Sequence, residues 1–223
     1  MFSLKKEFQS GIVVSQKDLF NYVEEDSVIL VGPGMLSRKS KIKNQKSKLR
    51  DIKDEGHYTY FLVKKLVEEF PDKQYIFDAG ALQVMEKEWL RQLKKPALLT
   101  PHQEEFRLLF GQSVDKVKSL AQRFNTIILL KQVNDLVTDG NNEIIVEGGN
   151  AGLTKGGTGD ILAGVAAALA VNNPPLLAAT AASLLLKSSA DRLYQKKGYW
   201  YNISDLIDQL PQTLADYALF DKN

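Results

Sequence analysis

Residues 126–164 read TIILLKQVNDLVTDGNNEIIVEGGNAGLTKGGTGDILAG, a stretch that any fold proposed for this chain has to explain. An apolar run that ends at Lys131 predicts a buried β-strand. Residues 139–142 separate two β-rich runs and predict a hairpin. A glycine-rich loop then leads directly into a helix, which we expect from Asp160 to Val171.

The chain upstream repeats this alternation of short apolar runs and helical patterns. Strands are predicted in SVILVG, QYIF, PALLT and TIILLK, and helices in EGHYTYFLVKKLVEEFPDK, ALQVMEKEWLRQLKK, EEFRLLFG and VDKVKSLAQRF. Two further helices are predicted downstream, over 176–194 and 204–217. Alternating strands and helices indicate an α/β fold with a mainly parallel sheet that carries helices on both faces.

Each predicted parallel strand ends in residues that are unusual for a strand: GPG, DAG, TPH or LLK. Ligands of such sheets bind beyond the carboxyl ends of the strands, where these motifs would meet. The sequence therefore predicts one composite site at that edge.

Composition narrows the class of protein. The 223 residues are 44% hydrophobic and 25% charged, which suits a single domain with its own core. A net charge of +2 is too small to indicate nucleic-acid binding. With no cysteine and only His57 and His102, disulfides and thiolate metal sites are excluded, and a histidine-rich zinc site is not expected. Without an apolar leader or a membrane-length apolar run, we expect a cytoplasmic protein with no membrane partner.

The glycine-rich loop matches neither of two familiar phosphate-binding patterns. No lysine follows its glycine pair, as a P-loop requires, and GTGDIL has leucine in the last position of a dinucleotide fingerprint. What remains is GGTGD, in which the N–H groups of Gly157, Thr158 and Gly159 precede the carboxylate of Asp160. Such N–H groups stabilise a transferred phosphoryl group, while a carboxylate accepts the proton of the attacking hydroxyl. The loop therefore predicts phosphoryl transfer from a nucleotide to a hydroxyl.

Residues 37–53, SRKSKIKNQKSKLRDIK, are rich in lysine and arginine and have no apolar periodicity. A charge block of this kind is typical of a solvated, mobile surface loop. The alternative is a basic flap over a phosphate-rich substrate, because the block directly follows GPG. No aromatic residue is interleaved, so nucleic-acid binding is not expected.

The segment GNAGLTKGGTGDILAG resembles the signature of the ADP-dependent NAD(P)H-hydrate dehydratases, members of the ribokinase-like superfamily. The order of the other motifs is similar too: VGPGM, FDAGALQ, LLTPHQEEF, LLK, and finally GYWYNISDLIDQLPQTL as the closing helix. The resemblance extends from about Val28 to about Leu214. It implies a ribokinase-like, three-layer α/β/α fold.

The resemblance also implies an activity. These enzymes repair NADH and NADPH that have taken up water on the nicotinamide ring. They phosphorylate the ring hydroxyl from ADP (or ATP in some relatives), and elimination of phosphate restores the reduced cofactor. Hydrated NADH or NADPH, an adenine nucleotide and Mg²⁺ are the implied ligands. A functional link to an NAD(P)H-hydrate epimerase is implied as well.

Carried over position by position, the resemblance assigns roles to residues of this chain. Asp160 matches the catalytic aspartate that contacts the hydrate, Gly157 and Thr158 belong to the anion hole, and Gly159 matches a contact to AMP. AMP is wrapped by a segment made of Lys131, Gln132, Val133, Asn134 and Asp135. Gly34 and His102 match contacts to the hydrated cofactor, and Glu105 matches an acid that we take to hold Mg²⁺ through water.

Four of these side chains also have ordinary structural interpretations. Asp160 is a suitable N-cap for its own helix, and His102 for the helix after Pro101. Glu105 is a typical first-turn acid that the helix dipole favours. Lys131 is a typical strand-end lysine whose charge reaches solvent.

Two departures from the family pattern bear on the expected activity. Gln132 stands where the family has glycine, so a positive φ there would strain this residue, or the nucleotide loop is reshaped. Family members also begin with an additional strand–helix–strand unit that contacts the substrate. The 27 residues before Val28 do not resemble it, although a strand over 11–14 and a helix over 15–25 would cover part of the gap.

From this difference we expect residues 1–223 to be one domain truncated at its N-terminus, with a tendency to form homo-oligomers. Two other functions remain open at this point. One is a ribokinase-like kinase of a small vitamin-precursor alcohol, and the other is an inactive nucleotide-binding remnant.

Overall fold

The computed structural model describes residues 11–37, 49 and 52–219. Most of the basic stretch over 37–53 lies outside the described residues. One sheet runs through the described part, with its strands in sequence order from edge to edge. The strands are β1 (Val28–Val31), β2 (Gln74–Phe77), β3 (Leu98–Leu99), β4 (Ile127–Leu130), β5 (Asp135–Thr138) and β6 (Glu143–Val146).

The first four strands are parallel and the last two form the predicted hairpin. Strands β1 to β4 pair in parallel, whereas β4–β5 and β5–β6 are antiparallel. In the hairpin loop, the carboxylate of Asp139 accepts N–H groups from Asn141 and Asn142, and these hydrogen bonds hold its pKa below the ordinary value. The expected mainly parallel α/β sheet is thus confirmed.

Helices cover both faces of this sheet, as alternation of strand and helix requires. On β2, Tyr75 and Phe77 point into one buried cluster, while Ile76 points into the other. The helices are α1 (Leu19–Glu25), α2 (Glu55–Glu69), α3 (Ala79–Val84), α4 (Gln103–Phe110), α5 (Val117–Phe124), α6 (Thr158–Ala170), α7 (Pro175–Lys197) and α8 (Ile203–Leu219). In the described ranges no helix is long and apolar enough to cross a membrane.

Two local predictions are wrong. Residues 11–14 form no strand, although α1 lies within the predicted 15–25 helix. The helix predicted over 81–95 stops at Val84, and a 3₁₀ turn follows over Lys87–Gln92. The cause of this break is tertiary packing: the ring of Trp89 lies 5.0 Å from the ring of Tyr60. Local periodicity contains no information about that partner.

Candidate active site

The carboxyl ends of the four parallel strands lie side by side. Beyond the strand ends, the N–H of Asp78 donates to the carbonyl of Val31 (3.1 Å), and that of Thr100 to Phe77 (3.1 Å). The N–H of Lys131 likewise donates to the carbonyl of Pro101 (2.9 Å). The structure therefore brings together the strand-end motifs that the sequence analysis singled out.

Lys131 lies at the centre of this edge. Its Nζ is 2.8 Å from Oδ1 of Asp78 and 3.8 Å from Oε2 of Glu105. A methyl group built on Gly159 would lie 3.4 Å from the same Nζ, so the ammonium lies against the glycine loop. Lys131 is one-fifth exposed and is paired with a buried carboxylate. It therefore differs from a strand-end lysine whose charge only extends into solvent.

Sequence analysis did not identify Asp78 as the partner of Lys131. The DAG motif was noted at the end of a strand, but no function was assigned to its acid. An aspartate that directly follows the apolar end of a strand, here Ile76 and Phe77, is a signal in itself, because a buried charge needs a partner. That partner, Lys131, is 53 residues away in the chain and could not be identified from sequence.

The glycine loop leads directly into α6, where Asp160 is exposed. Gly157, at φ +94°, is the N-cap residue of this helix. Asp160 is therefore in the first turn and not at the cap, so its interpretation as an N-cap does not hold. Its side chain is exposed, and it has no hydrogen-bond or ion-pair partner within the described part of the chain. The carboxylate is free to contact a ligand.

The three N–H groups of the GGTGD turn differ in their availability. Thr158 donates its N–H to the carbonyl of Lys155 (3.3 Å), and its hydroxyl donates to the carbonyl of Leu153 (2.7 Å). The N–H groups of Gly157 and Gly159 have no acceptor among the residues the structure describes. A helix N-terminus with free N–H groups favours an anion.

Side chains from α7 and from the segment between α7 and α8 hold the glycine loop in place. Asp191 accepts from the N–H of Gly149 (2.8 Å) and from Nδ2 of Asn150 (3.0 Å). The hydroxyl of Tyr201 donates to Oδ1 of Asn150 (2.7 Å), which also accepts the N–H of Gly152. Burial raises the pKa of the Tyr201 hydroxyl, although its hydrogen bond to Asn150 opposes this shift.

We expect Tyr201→Phe to lower the free energy of unfolding by about 1 kcal/mol, because it removes one buried hydrogen bond and keeps the ring. Urea denaturation measures the change, and hydrogen exchange should show faster opening of the loop over 148–157. A variant as stable as the parent, with unchanged exchange, would mean that Tyr201 does not anchor the loop.

The segment that follows Lys131 forms an exposed turn with a buried end. Gln132, Val133 and Asn134 are exposed. Asp135 is buried, and its carboxylate accepts the N–H of Gln132 (2.8 Å) and the hydroxyl of Ser183 (2.7 Å). Gln132 does not have a positive φ, so the expected strain is not present.

A cavity of about 100 Å³ separates this segment from the glycine loop. Lys187, on α7, joins the two walls of this cavity by donating to the carbonyls of Val133 (2.6 Å) and Gly148 (3.2 Å). Predicted nucleotide and anion residues thus line one cavity: Lys131, Gln132, Asp135, Thr158 and Gly159, together with Leu153, Leu162, Leu186 and Lys187.

His102 and Glu105 both stabilise the start of α4, as their structural interpretations expected. Nδ1 of His102 accepts the N–H groups of Glu104 and Glu105 (3.2 and 3.3 Å), which caps α4. Oε2 of Glu105 accepts the N–H of His102 in return (3.0 Å). The ring of His102 remains half exposed, so capping does not remove it from contact with a ligand.

Gly34 lies apart from this cluster. It has φ +70° and lines a separate cavity of about 300 Å³ between the GPG turn and α2. Gly34 and Lys131 thus line different cavities.

The carboxylates at this edge of the sheet fit a Mg²⁺ site only if nucleotide phosphates supply further ligands. Within the described ranges, no group of three or more acidic or histidine side chains could hold a metal ion. Both oxygens of Glu105 are already in use, since Oε1 accepts from Nε2 of Gln83 (3.2 Å). Mg²⁺ is usually bound by one or two carboxylates, waters and substrate phosphates. A contact through water from Glu105 is compatible with that pattern.

Comparison with known proteins gives a family match over most of the chain. The NAD(P)H-hydrate dehydratase family matches residues 5–212, which begins well upstream of Val28. A bifunctional NAD(P)H-hydrate repair enzyme, Nnr, of Archaeoglobus fulgidus is 40% identical over 117 residues, covering 52% of this chain and 25% of the relative. An ADP-dependent (S)-NAD(P)H-hydrate dehydratase of Cenarchaeum symbiosum is 35% identical over 156 residues, covering 66% of this chain and 53% of the relative.

The chain thus spans between a quarter and about half of the length of these two curated relatives. Among solved structures, a ribokinase-like superfamily protein of Enterococcus faecalis superposes with a TM-score of 0.68 at 24% identity. That superposition covers 89% of this chain and 66% of the other. The ribokinase-like α/β fold is therefore confirmed.

Proposed function

This chain belongs to the NAD(P)H-hydrate dehydratase family, and we propose that it catalyses the nucleotide-dependent repair of hydrated NADH or NADPH. The geometry of Asp160 supports this function most directly. Its exposed carboxylate, which has no partner among the described residues, follows a glycine turn whose Gly157 and Gly159 N–H groups have no acceptor in the same ranges. A carboxylate beside an anion site is unfavourable unless it acts on a neighbouring group, and proton transfer from a hydroxyl is such an action.

In the proposed reaction, Asp160 accepts the proton of the ring hydroxyl as its oxygen attacks the terminal phosphorus of ADP. The P–O bond to AMP breaks, and the N–H groups of Gly157 and Gly159 stabilise the negative charge that develops on the transferred group. The phosphorylated ring then loses phosphate and a neighbouring ring proton, which restores the reduced nicotinamide.

Charge around the donor nucleotide is balanced by Lys131 and by the start of α6. Mg²⁺ on the nucleotide phosphates would neutralise further charge, with Glu105 holding it through water. The turn formed by Gln132, Val133 and Asn134 is the proposed wall for the AMP part, since its first residue, Gln132, lines the cavity beside Lys131. ADP is the proposed donor because the relative from Cenarchaeum symbiosum is named as ADP-dependent; ATP is the alternative.

A direct test mixes the purified protein with hydrated NADH, Mg²⁺ and either ADP or ATP. We expect the absorbance of reduced nicotinamide to return, with release of inorganic phosphate and AMP when ADP is the donor. Nucleotide binding without any return of NADH would indicate the inactive-remnant alternative. Consumption of ATP with a small vitamin-precursor alcohol instead would indicate the kinase alternative, which family membership does not favour.

Replacement of Lys131 by alanine should weaken ADP binding roughly 10- to 100-fold, because a charged contact to phosphate is worth about 1.5–3 kcal/mol. Calorimetric titration with ADP measures the change. Lys118→Ala is the matched control. Lys118 pairs with Glu143 (2.9 Å) at the hairpin, which lies at the edge of the sheet opposite to the candidate site. Equal ADP affinity in Lys131→Ala and the parent would remove Lys131 from the nucleotide site.

The relatives also suggest the setting in which the enzyme works. One relative is named for the (S)-hydrate, and another is named as a bifunctional NAD(P)H-hydrate repair enzyme. We therefore propose a functional link to an NAD(P)H-hydrate epimerase in the cytoplasm, where NADH and NADPH are found.

A further inference from the structure

We propose that Asp78 is a positioning residue, which holds the ammonium of Lys131 beside Gly159 so that it meets the phosphates of the donor nucleotide. This inference rests on the proposed function, because it assigns the phosphate site to the edge near Gly159. Asp78 lies outside every role that sequence analysis assigned.

Helix capping does not explain this aspartate. Asp78 occupies the N-cap position of α3, where its residue type normally accepts a hydrogen bond from the helix. Its side chain makes no such bond. Oδ1 instead accepts from Nζ of Lys131 (2.8 Å) and from the hydroxyl of Thr100 (2.9 Å). The carboxylate is therefore directed away from its own helix and towards the strand-end cluster.

Lys131 supplies the positive charge beside this buried carboxylate. Asp78 is 1% exposed, and its Oδ2 is buried without a hydrogen-bond partner in the described part of the protein. A buried carboxylate oxygen without a donor is unfavourable and uncommon. Such a group persists where it has a function that a neutral side chain cannot supply, and here the charge fixes an ammonium.

The backbone around Asp78 forms a rigid support. Ala79, the next residue, has φ +43°, a strained conformation for any residue with a side chain. A methyl group on Gly32 would lie 1.7 Å from the carbonyl oxygen of Asp78, and one on Gly80 would lie 2.1 Å from that of Met35. The GPG and DAG turns are therefore packed backbone against backbone, which restricts movement of the main chain that carries Asp78.

Asp78 decides between two possible positions of Lys131. The second carboxylate within reach, Glu105, lies 3.8 Å away on α4. Without the charge of Asp78, Glu105 is the one carboxylate of the described residues that remains within 4 Å of the ammonium, and we expect the ammonium to move away from Gly159. The phosphate of a bound nucleotide would then meet it in a less favourable position.

Calorimetric titration with ADP tests this inference, because a positioning role and a simple charge effect predict opposite changes in ADP affinity when Asp78 is replaced. Removing a negative charge near an anion site should tighten ADP binding if Asp78 acts only through its charge. If Asp78 positions Lys131, Asp78→Asn should weaken ADP binding about tenfold, and by less than about twofold in a Lys131→Met background. Glu143→Gln, which breaks the Lys118 pair at the hairpin, is the control and should leave the affinity unchanged.

Tighter or equal ADP binding by Asp78→Asn, or an equal loss in both backgrounds, would overturn the positioning role. If Asp78→Asn does not fold, Asp78→Glu takes its place. This variant keeps the negative charge but moves it by one methylene. Weaker ADP binding would then support the positioning role, and unchanged ADP binding would contradict it. A parent that binds no ADP also contradicts it. The proposed function is judged separately, by return of NADH from its hydrate.

Discussion

Replacement of Asp160 by asparagine is expected to lower turnover of hydrated NADH by about 10²–10⁴-fold. The amide keeps the shape of the carboxylate but cannot accept the hydroxyl proton. Because Asp160 has no partner in the described part of the protein, its replacement should leave the fold unchanged and should not weaken ADP binding. Absorbance of reduced nicotinamide measures turnover, and calorimetric titration measures ADP binding.

Asp208→Asn is the matched control for this experiment, because Asp208 is also an exposed carboxylate on a helix but lies on α8. We expect it to retain the turnover of the parent. If Asp160→Asn keeps turnover within a few-fold of the parent, the hydroxyl proton goes to another acceptor. A large loss of ADP affinity would instead give Asp160 a role in nucleotide binding.

Replacement of Gly32 by alanine should lower the free energy of unfolding by about 3 kcal/mol or more. Gly32 has φ +123°, a region that residues with side chains rarely adopt, and the added methyl would lie 1.7 Å from the backbone oxygen of Asp78. Either the GPG turn or the DAG turn must move. Because that movement displaces the carboxylate of Asp78, we also expect ADP binding to weaken in any folded fraction.

Urea denaturation measures this loss, with Gly111→Ala as the control. Gly111 also has a positive φ (+64°), but a methyl group there meets nothing within 4 Å. Its replacement should therefore cost only the left-handed backbone conformation, about 1–2 kcal/mol. Equal losses in the two variants would show that the close approach between Gly32 and Asp78 does not contribute.

Local sequence patterns were sufficient to predict most of the elements. The apolar runs, the hairpin at residues 139–142 and the three C-terminal helices follow from periodicity and turn chemistry, which depend on neighbouring residues. Even the junction of the glycine loop with α6 could be predicted, because Gly157 and Asp160 are close in the chain. Where packing against a distant partner decides the conformation, as at Trp89, the same patterns gave the wrong element.

The sequence by itself thus determined the α/β fold, the edge of the sheet at which the strand-end motifs meet, and the place of Asp160 near the start of a helix. Only the tertiary structure decided which charges meet: Lys131 pairs with Asp78 across 53 residues, and Asp191 holds Gly149 across 42. It also decided that the ring of His102 caps α4. The physical reason is that contacts between distant residues depend on the order and register of the strands. That order results from burying two apolar faces at once, and no single segment of the chain encodes it.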